Sequence, residues 1–176
     1  MNIKKVFSNS LLSLLDQKPL SKITIGDLLK DTELSRQTFY NHFMDKYEAL
    51  EYLIHTMFYR NQELNDIEFF KHIFDVIEQN QDFFISCFKI TGQNGFEDLM
   101  GNEFKEIFNN MFHKFDLSQM DSRFTVDFLV DYYAHDLLYF LEYWIQHNFE
   151  PDIEVYYTKI VVLYRNSIKN LNIHYN

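Results

Sequence analysis

Apolar residues recur along this chain at steps of three and four, the spacing of one buried helical face. Ile3, Val6, Phe7, Leu11, Leu14 and Leu15 form the first such run, which Pro19 closes. Thr24 is then placed to cap a helix, with Asp27 at its third position and Ile25, Leu28 and Leu29 on its apolar face. Thr32-Glu33-Leu34 interrupts, and Ser35 restarts a helix as a second cap. Two short helices joined by a tight turn make a helix-turn-helix. A longer helix is expected from Asp45 to about residue 65, on Ala49, Leu50, Leu53, Ile54, Met57 and Phe58.

The helical period persists to the end. Phe70, Ile73, Phe74 and Ile77 mark one helix, and Phe83, Phe84, Cys87 and Phe88 another. Gly92, Gly95 and Gly101 predict a loop across TGQNGFEDLMG. Phe104, Ile107, Phe108, Met111, Phe112 and Phe115 resume the period, and DLSQMDS at 116–122 is a second expected loop. A long helix is predicted from about Arg123 to His147, with Asn148 suited to a left-handed cap and Pro151 just beyond. A last helix spans about 152–171. With only 4 Gly and 2 Pro in 176 residues, the fold class expected is all-α.

Composition narrows the class. Apolar residues make up 47% of the chain, which suits an ordered globule rather than a disordered one. The single cysteine, Cys87, excludes an internal disulfide and a cysteine-rich zinc site, and a reducing, cytoplasmic setting is expected. No apolar run is long enough to span a membrane, and serines and an asparagine break up the apolar start, which reads as an amphipathic helix rather than a leader. The net charge of −10 is unevenly spread. Residues 1–46 hold seven Lys/Arg against five Asp/Glu, a net of +2, so the remainder carries −12. Local potential decides where a phosphate backbone docks, and an acidic body would turn the N-terminal part toward it.

The nonapeptide SRQTFYNHF, residues 35–43, joins three aromatics to Arg36, His42 and four small polar residues. Phe39 and Phe43, four apart, share a packing face. Arg36, Gln37, Thr38, Tyr40, Asn41 and His42 are left to point outward. In the second helix of a helix-turn-helix such residues face the major groove of double-stranded DNA. Arg suits guanine, Gln suits adenine, and the Thr methyl can touch a thymine methyl. Tyr40 and His42 can donate to phosphates, as can Lys46, and the capped helix starts at Thr24 and Ser35 favour an anion.

ITIGDLL…LSRQTFYNHFMDKYEAL resembles the DNA-binding domain of the TetR/AcrR family of bacterial transcriptional regulators. Thr24, Ser35, Arg36, Thr38, Phe39, Tyr40, His42, Phe43 and Lys46 match that family's pattern. FFISCFKITGQNGFEDLM and YYAHDLLYFLEYWIQHNFEP resemble a subgroup common in low-GC Gram-positive bacteria. Glu33 stands where the family often has Gly in the inter-helix turn, which implies a positive φ at a cost on the order of 1 kcal/mol. The resemblance implies a helix-turn-helix DNA-binding domain at 1–46 and a helical ligand-binding and dimerisation domain at 47–176. In this family the body encloses a ligand pocket, for which Phe84, Phe88, Phe104, Phe108 and Trp144 are the candidate walls and a small apolar or aromatic effector the expected occupant.

The expected function is therefore a ligand-responsive transcriptional regulator that binds a palindromic operator as a homodimer. The alternative is an interaction protein of the same fold whose headpiece no longer binds DNA. Homodimerisation is also expected from the excess apolar content of 126–147 and 153–171. No cofactor, metal or enzymatic activity is expected. The pairs Asp131/His135 and His72/Asp75 have ligand-like spacing, but no cysteine pair or histidine cluster joins them, and no nucleophile elbow or Gly-rich phosphate loop is present.

Overall fold

The computed structural model describes residues 2–59, 66–90 and 95–171, together with the backbone of 174 and 175. Among these residues the chain forms nine α-helices and one pair of two-residue strands. The chain divides into two units.

The first unit comprises residues 1–62 and 80–96. It holds α1 (Ile3–Leu15), α2 (Ile25–Thr32), α3 (Arg36–Tyr40), α4 (Lys46–Phe58) and α6 (Gln81–Phe88). The apolar stripe of α1 behaves as its spacing predicts: Phe7, Leu11, Leu14 and Leu15 are buried. Leu28 of α2, Phe39 of α3, and Ala49, Leu50, Leu53, Ile54 and Phe58 of α4 complete the core of the first four helices. Phe58 stacks on Phe84 of α6 with ring centroids 6.1 Å apart. One element escaped the periodicity: Leu20–Lys22 forms a single 3-10 turn ahead of α2. It follows Pro19, whose fixed φ starts such a turn well, and it buries Leu20.

The second unit comprises residues 63–79 and 97–176. It holds α5 (Asp66–Gln79), most of α7 (Phe96–Phe112), α8 (Val126–Gln146) and α9 (Ile153–Asn170). β1 (Phe115–Asp116) pairs antiparallel with β2 (His174–Tyr175). Its interior is aromatic. Tyr164 lies 4.4 Å from the ring of Tyr133, 5.1 Å from Phe70 and 5.2 Å from Phe108. Trp144 stacks on Tyr156 at 5.7 Å, and its indole N–H donates to the Pro151 carbonyl at 3.0 Å.

Several boundaries differ from those expected. The helix expected to continue to about residue 65 ends at Phe58, where Tyr59 caps it; 60–65 lie outside the described residues. Gly101, expected in a loop, lies inside α7, because Leu99, Met100 and Phe104 around it continue the buried face. Of the same loop, residues 91–94 lie outside the description. α8 begins at Val126 rather than near Arg123, since the Thr125 hydroxyl accepts the Phe128 N–H at 3.2 Å and so sets the start. Among the described residues no helix is long and apolar enough to cross a membrane.

Candidate nucleic-acid interface

The candidate DNA-reading residues all belong to the first unit, and their placement begins with helix caps. The Thr24 hydroxyl accepts the Asp27 N–H at 3.2 Å, while an Asp27 carboxylate oxygen accepts the Thr24 N–H and hydroxyl, each at 2.8 Å. Lys18 closes on the same oxygen at 2.9 Å. The Lys18 hydrogen bond, followed by those from Thr24, holds the Asp27 carboxyl well below the usual carboxylate range. The Thr24 amide is thereby spent on an anion of the chain itself, so it is not open to a phosphate.

Glu33 ends α2 with φ 58°, the left-handed cap that the turn requires in place of glycine. Two residues later the Ser35 hydroxyl accepts the Thr38 N–H at 3.0 Å and lies 2.8 Å from the Thr38 hydroxyl. Such closely spaced caps leave room for a turn of only a few residues, so α3 takes a new direction at once. α3 itself is short, Arg36–Tyr40, and Asn41 and His42 fall in the turn after it rather than on the helix. The next boundary is equally defined. Asp45 accepts the Tyr47 and Glu48 amides at 2.8 and 3.0 Å, and Glu48 reaches back to accept the Met44 N–H.

The two faces of α3 separate as expected. Phe39 is fully buried and Phe43 almost so; both meet Phe7 of α1, at 5.1 and 6.4 Å between ring centroids. Arg36, Gln37 and Tyr40 are exposed, and Tyr40 shows half of its surface to solvent. The Arg36 guanidinium stands 6.0 Å over the Tyr40 ring, an arrangement that holds a long cation at a defined place on the outer face. Thr38 and His42 are half-buried, and Asn41 is exposed. Thus Arg36, Gln37 and Tyr40 share one outward surface, Thr24 and Ser35 act as caps behind it, and Asn41 and His42 flank it.

Lys46 is placed differently. Its ammonium donates to the Leu20 carbonyl at 2.7 Å and the Ile23 carbonyl at 2.8 Å. Burial lowers its pKa below the usual lysine range, against a smaller opposing pull from Asp45. Sequence reasoning did not find the acceptors, because backbone carbonyls carry no residue signature. Met44 stands 79% exposed beside the motif, and the exposure of a large apolar residue is visible only once its neighbours are placed.

The five candidate pocket residues are divided between the units. Phe84 and Phe88 lie in the first, where Phe84 is fully buried and Phe88 packs edge-on to Phe96 at 5.5 Å. Phe104, Phe108 and Trp144 lie in the second, all fully buried. There Phe108 joins the Phe70–Tyr133–Tyr164 rings and Trp144 joins Phe74, Phe149 and Tyr156. Of the pairs with ligand-like spacing, Asp131 is bound to Lys105 at 2.8 Å, and His135 contacts the Asp131 backbone carbonyl through Nδ1 at 2.7 Å.

Residues 65–166 match the TetR-type family described as "Transcriptional regulator C-terminal region". No curated protein matches the chain. Among solved structures, the dihydroxyacetone kinase operon activator DhaS is similar at a TM-score of 0.68, with 19% identity over 97% of this chain and 98% of that one. A TetR transcriptional regulator from Streptococcus agalactiae 2603V gives 0.57, with 22% identity over 90% and 93%. A TetR-family transcriptional regulator from Syntrophomonas wolfei str. Goettingen gives 0.62, with 15% identity over 93% of each chain. At these identities the likeness is one of fold.

Proposed function

We propose that this chain, a member of the TetR family of transcriptional regulators, binds a palindromic double-stranded DNA operator as a homodimer and responds to a small apolar or aromatic effector. The observation that carries the DNA reading is the outer face of α3. Arg36, Gln37 and Tyr40 stand free on a helix whose opposite side is locked to α1 through Phe39 and Phe7. A reading helix needs this combination, since base contacts specify only if the backbone behind them cannot shift. Arg36 and Gln37 are assigned to base edges. Thr38 can offer its methyl to a thymine, Tyr40 and His42 are assigned to phosphates, and Asn41 flanks them, while Thr24 and Ser35 hold the helix starts. The third N–H of Lys46 remains for a phosphate oxygen.

Dimerisation is supported by apolar side chains that α8 and α9 leave uncovered. Phe128, Tyr132, Tyr139 and Tyr143 on α8, and Val155, Val162 and Leu163 on α9, are each between 41% and 61% exposed. Two helices from each copy, packed as a four-helix bundle, would cover them. The effector reading rests on the aromatic interior of the second unit, where Phe104, Phe108 and Trp144 are the candidate walls. By linkage, an effector that shifts operator affinity must have its own affinity shifted by the same factor, typically worth about 1–3 kcal/mol.

The test is selection of bound duplexes from a random pool, with sedimentation of the free protein. Inverted half-sites about 34–36 Å apart, bound by a dimer, are expected. A monomer at micromolar concentration, or a pool that yields no enriched sequence, would favour the interaction-protein reading of the same fold.

A further inference from the structure

We infer that His135 makes the dimer seam sensitive to acid: it stands at the centre of the uncovered aromatic stripe of α8, where a second copy of the chain brings a cation against it, so that protonation of the imidazole parts the copies. This inference rests on the dimer reading above. Phe128, Tyr132, Tyr139 and Tyr143 are uncovered, and His135 is exposed among them. Their steps of four and three residues keep all five on one side of the helix. The aromatics fall seven and three residues before His135, and four and eight after it. The stripe is thus close to symmetric about this residue. A twofold axis makes an isologous contact, in which a surface meets its own reversed copy. Where α8 packs on α8, Phe128 covers Tyr143 of the partner subunit and Tyr132 covers Tyr139 of the partner subunit when the axis passes beside residues 135 and 136. The two His135 rings then meet at the axis. Where α8 packs on α9 instead, the middle of the facing stripe is Lys159, between Val155 and Val162 on the uncovered side of α9.

The ring is set for this role in the free chain. Its Nδ1 lies 2.7 Å from the Asp131 carbonyl, which can only accept, so Nδ1 carries the hydrogen and the neutral ring leaves Nε2 as an acceptor. Acid adds a hydrogen and a charge at Nε2. In the free chain that charge stays in water. In the seam it is desolvated and faces a second cation across helices about 8–10 Å apart. The charged groups around His135 do not offset this. Asp131 lies one turn before it but is held by Lys105 of α7 at 2.8 Å, in the free chain as in the dimer. Asp136 is half-buried and acts inward, on the Tyr133 and Tyr164 phenols. α5 meets α8 through Phe74 and Trp144, which carry no charge. The dimer therefore holds fewer protons than two free chains. Its stability is present at high pH and is lost as pH falls. A palindromic operator, which needs both reading surfaces at once, is released with it.

Sedimentation equilibrium of the full chain at fixed ionic strength, from about pH 7.5 to about pH 5.5, tests this. The dissociation constant of the dimer is expected to rise by about tenfold or more. In His135→Gln it should change by less than about threefold. General charge works in the opposite direction: the chain carries −10, so acid lowers the repulsion between copies and tightens the dimer. His147→Gln, at the end of α8 where the ring stacks on Tyr143 at 3.9 Å, should keep the rise. A wild-type constant that is flat or falls with acid, or a rise that survives in His135→Gln, overturns the proposal and leaves the dimer reading standing. A chain that is monomeric at micromolar concentration and about pH 7.5 overturns both. If His135→Gln does not fold, NMR of the wild-type ring decides. A His135 titration midpoint at lower pH in a concentrated, dimeric sample than in a dilute, monomeric one supports the proposal, and equal midpoints overturn it.

Discussion

The ring of Phe7, in the first helix, meets the ring of Phe39, in α3, edge-on at 5.1 Å with the planes 82° apart. Both rings are wholly buried, and Phe43 closes the cluster at 5.7 Å from Phe39. α3 is five residues long and cannot be stable by itself, so this contact supplies what helix propensity does not. Truncating Phe39 to Ala should destabilise the protein by about 3–5 kcal/mol, through lost burial and the cavity left behind. Urea unfolding followed by circular dichroism checks this. A loss below about 1 kcal/mol would mean that α3 is held by something other than its aromatic face.

The Thr24–Asp27 pair makes a prediction about caps and pH. Thr24→Ala should cost about 1 kcal/mol, the usual worth of a polar N-cap. Because the folded-state pKa of Asp27 is depressed, its contribution is fully present above the pKa of an unfolded aspartate and is lost as pH falls through the lower folded value. A carboxyl-carbon NMR titration should therefore place Asp27 below an ordinary aspartate. In Lys18→Met the midpoint should rise, since Lys18 is the largest cause of the depression. An unmoved midpoint would assign the shift to the Thr24 bonds alone. The pair is solvent-exposed, so added salt should shrink the Lys18 part.

Two adjacent phenols should respond with opposite signs. The Tyr133 hydroxyl lies 2.6 Å from that of Ser167, whereas the buried Tyr164 hydroxyl has no hydrogen-bond partner among the described residues. Tyr133→Phe should cost about 1 kcal/mol, the net worth of a typical hydrogen bond. Tyr164→Phe removes a buried polar atom with nothing to satisfy it and should be neutral or stabilising. Thermal unfolding of the two variants decides. A clear loss in Tyr164→Phe would show that the hydroxyl finds a partner in solution.

Gln37 is exposed on α3 and not held by the core. Gln37→Ala should relax preference at one base pair per half-site, by about 1–3 kcal/mol if the contact is bidentate. Tyr40→Phe, at a residue assigned to sugar and phosphate, should weaken all sequences alike. Repeating the duplex selection with each variant checks the assignment. Relaxed preference in Tyr40→Phe with none in Gln37→Ala would reverse the two roles.

Much of the local structure was legible in the chain because it is decided by nearest neighbours. Thr24 with Asp27, and Ser35 three residues before Thr38, form caps wherever a helix starts, since the acceptor and the orphan amide are three residues apart. Glu33 and Asn148 take the left-handed conformation expected of them, at φ 58° and 54°. Phe149 follows Asn148 at φ 60°, which no local preference suggests. Its ring lies edge-on to Trp144 at 5.1 Å, a contact that offsets the backbone cost. Gly101 misled for the opposite reason: glycine weakens a helix by only about 1 kcal/mol, and the buried faces of Leu99, Met100 and Phe104 outweigh that.

The sequence by itself determined that the chain is helical, where its first helices are capped, and which side of residues 36–43 is apolar. Each of these is set by periodicity or by groups a few residues apart. Tertiary structure alone decided how far α3 extends, since its end depends on how Phe39 and Phe43 reach Phe7. It also decided where the Lys46 ammonium goes. The motif marks Lys46 as a cation near DNA, but its partners are carbonyls more than twenty residues away. Every residue has a carbonyl, so only the fold can select which two face an ammonium.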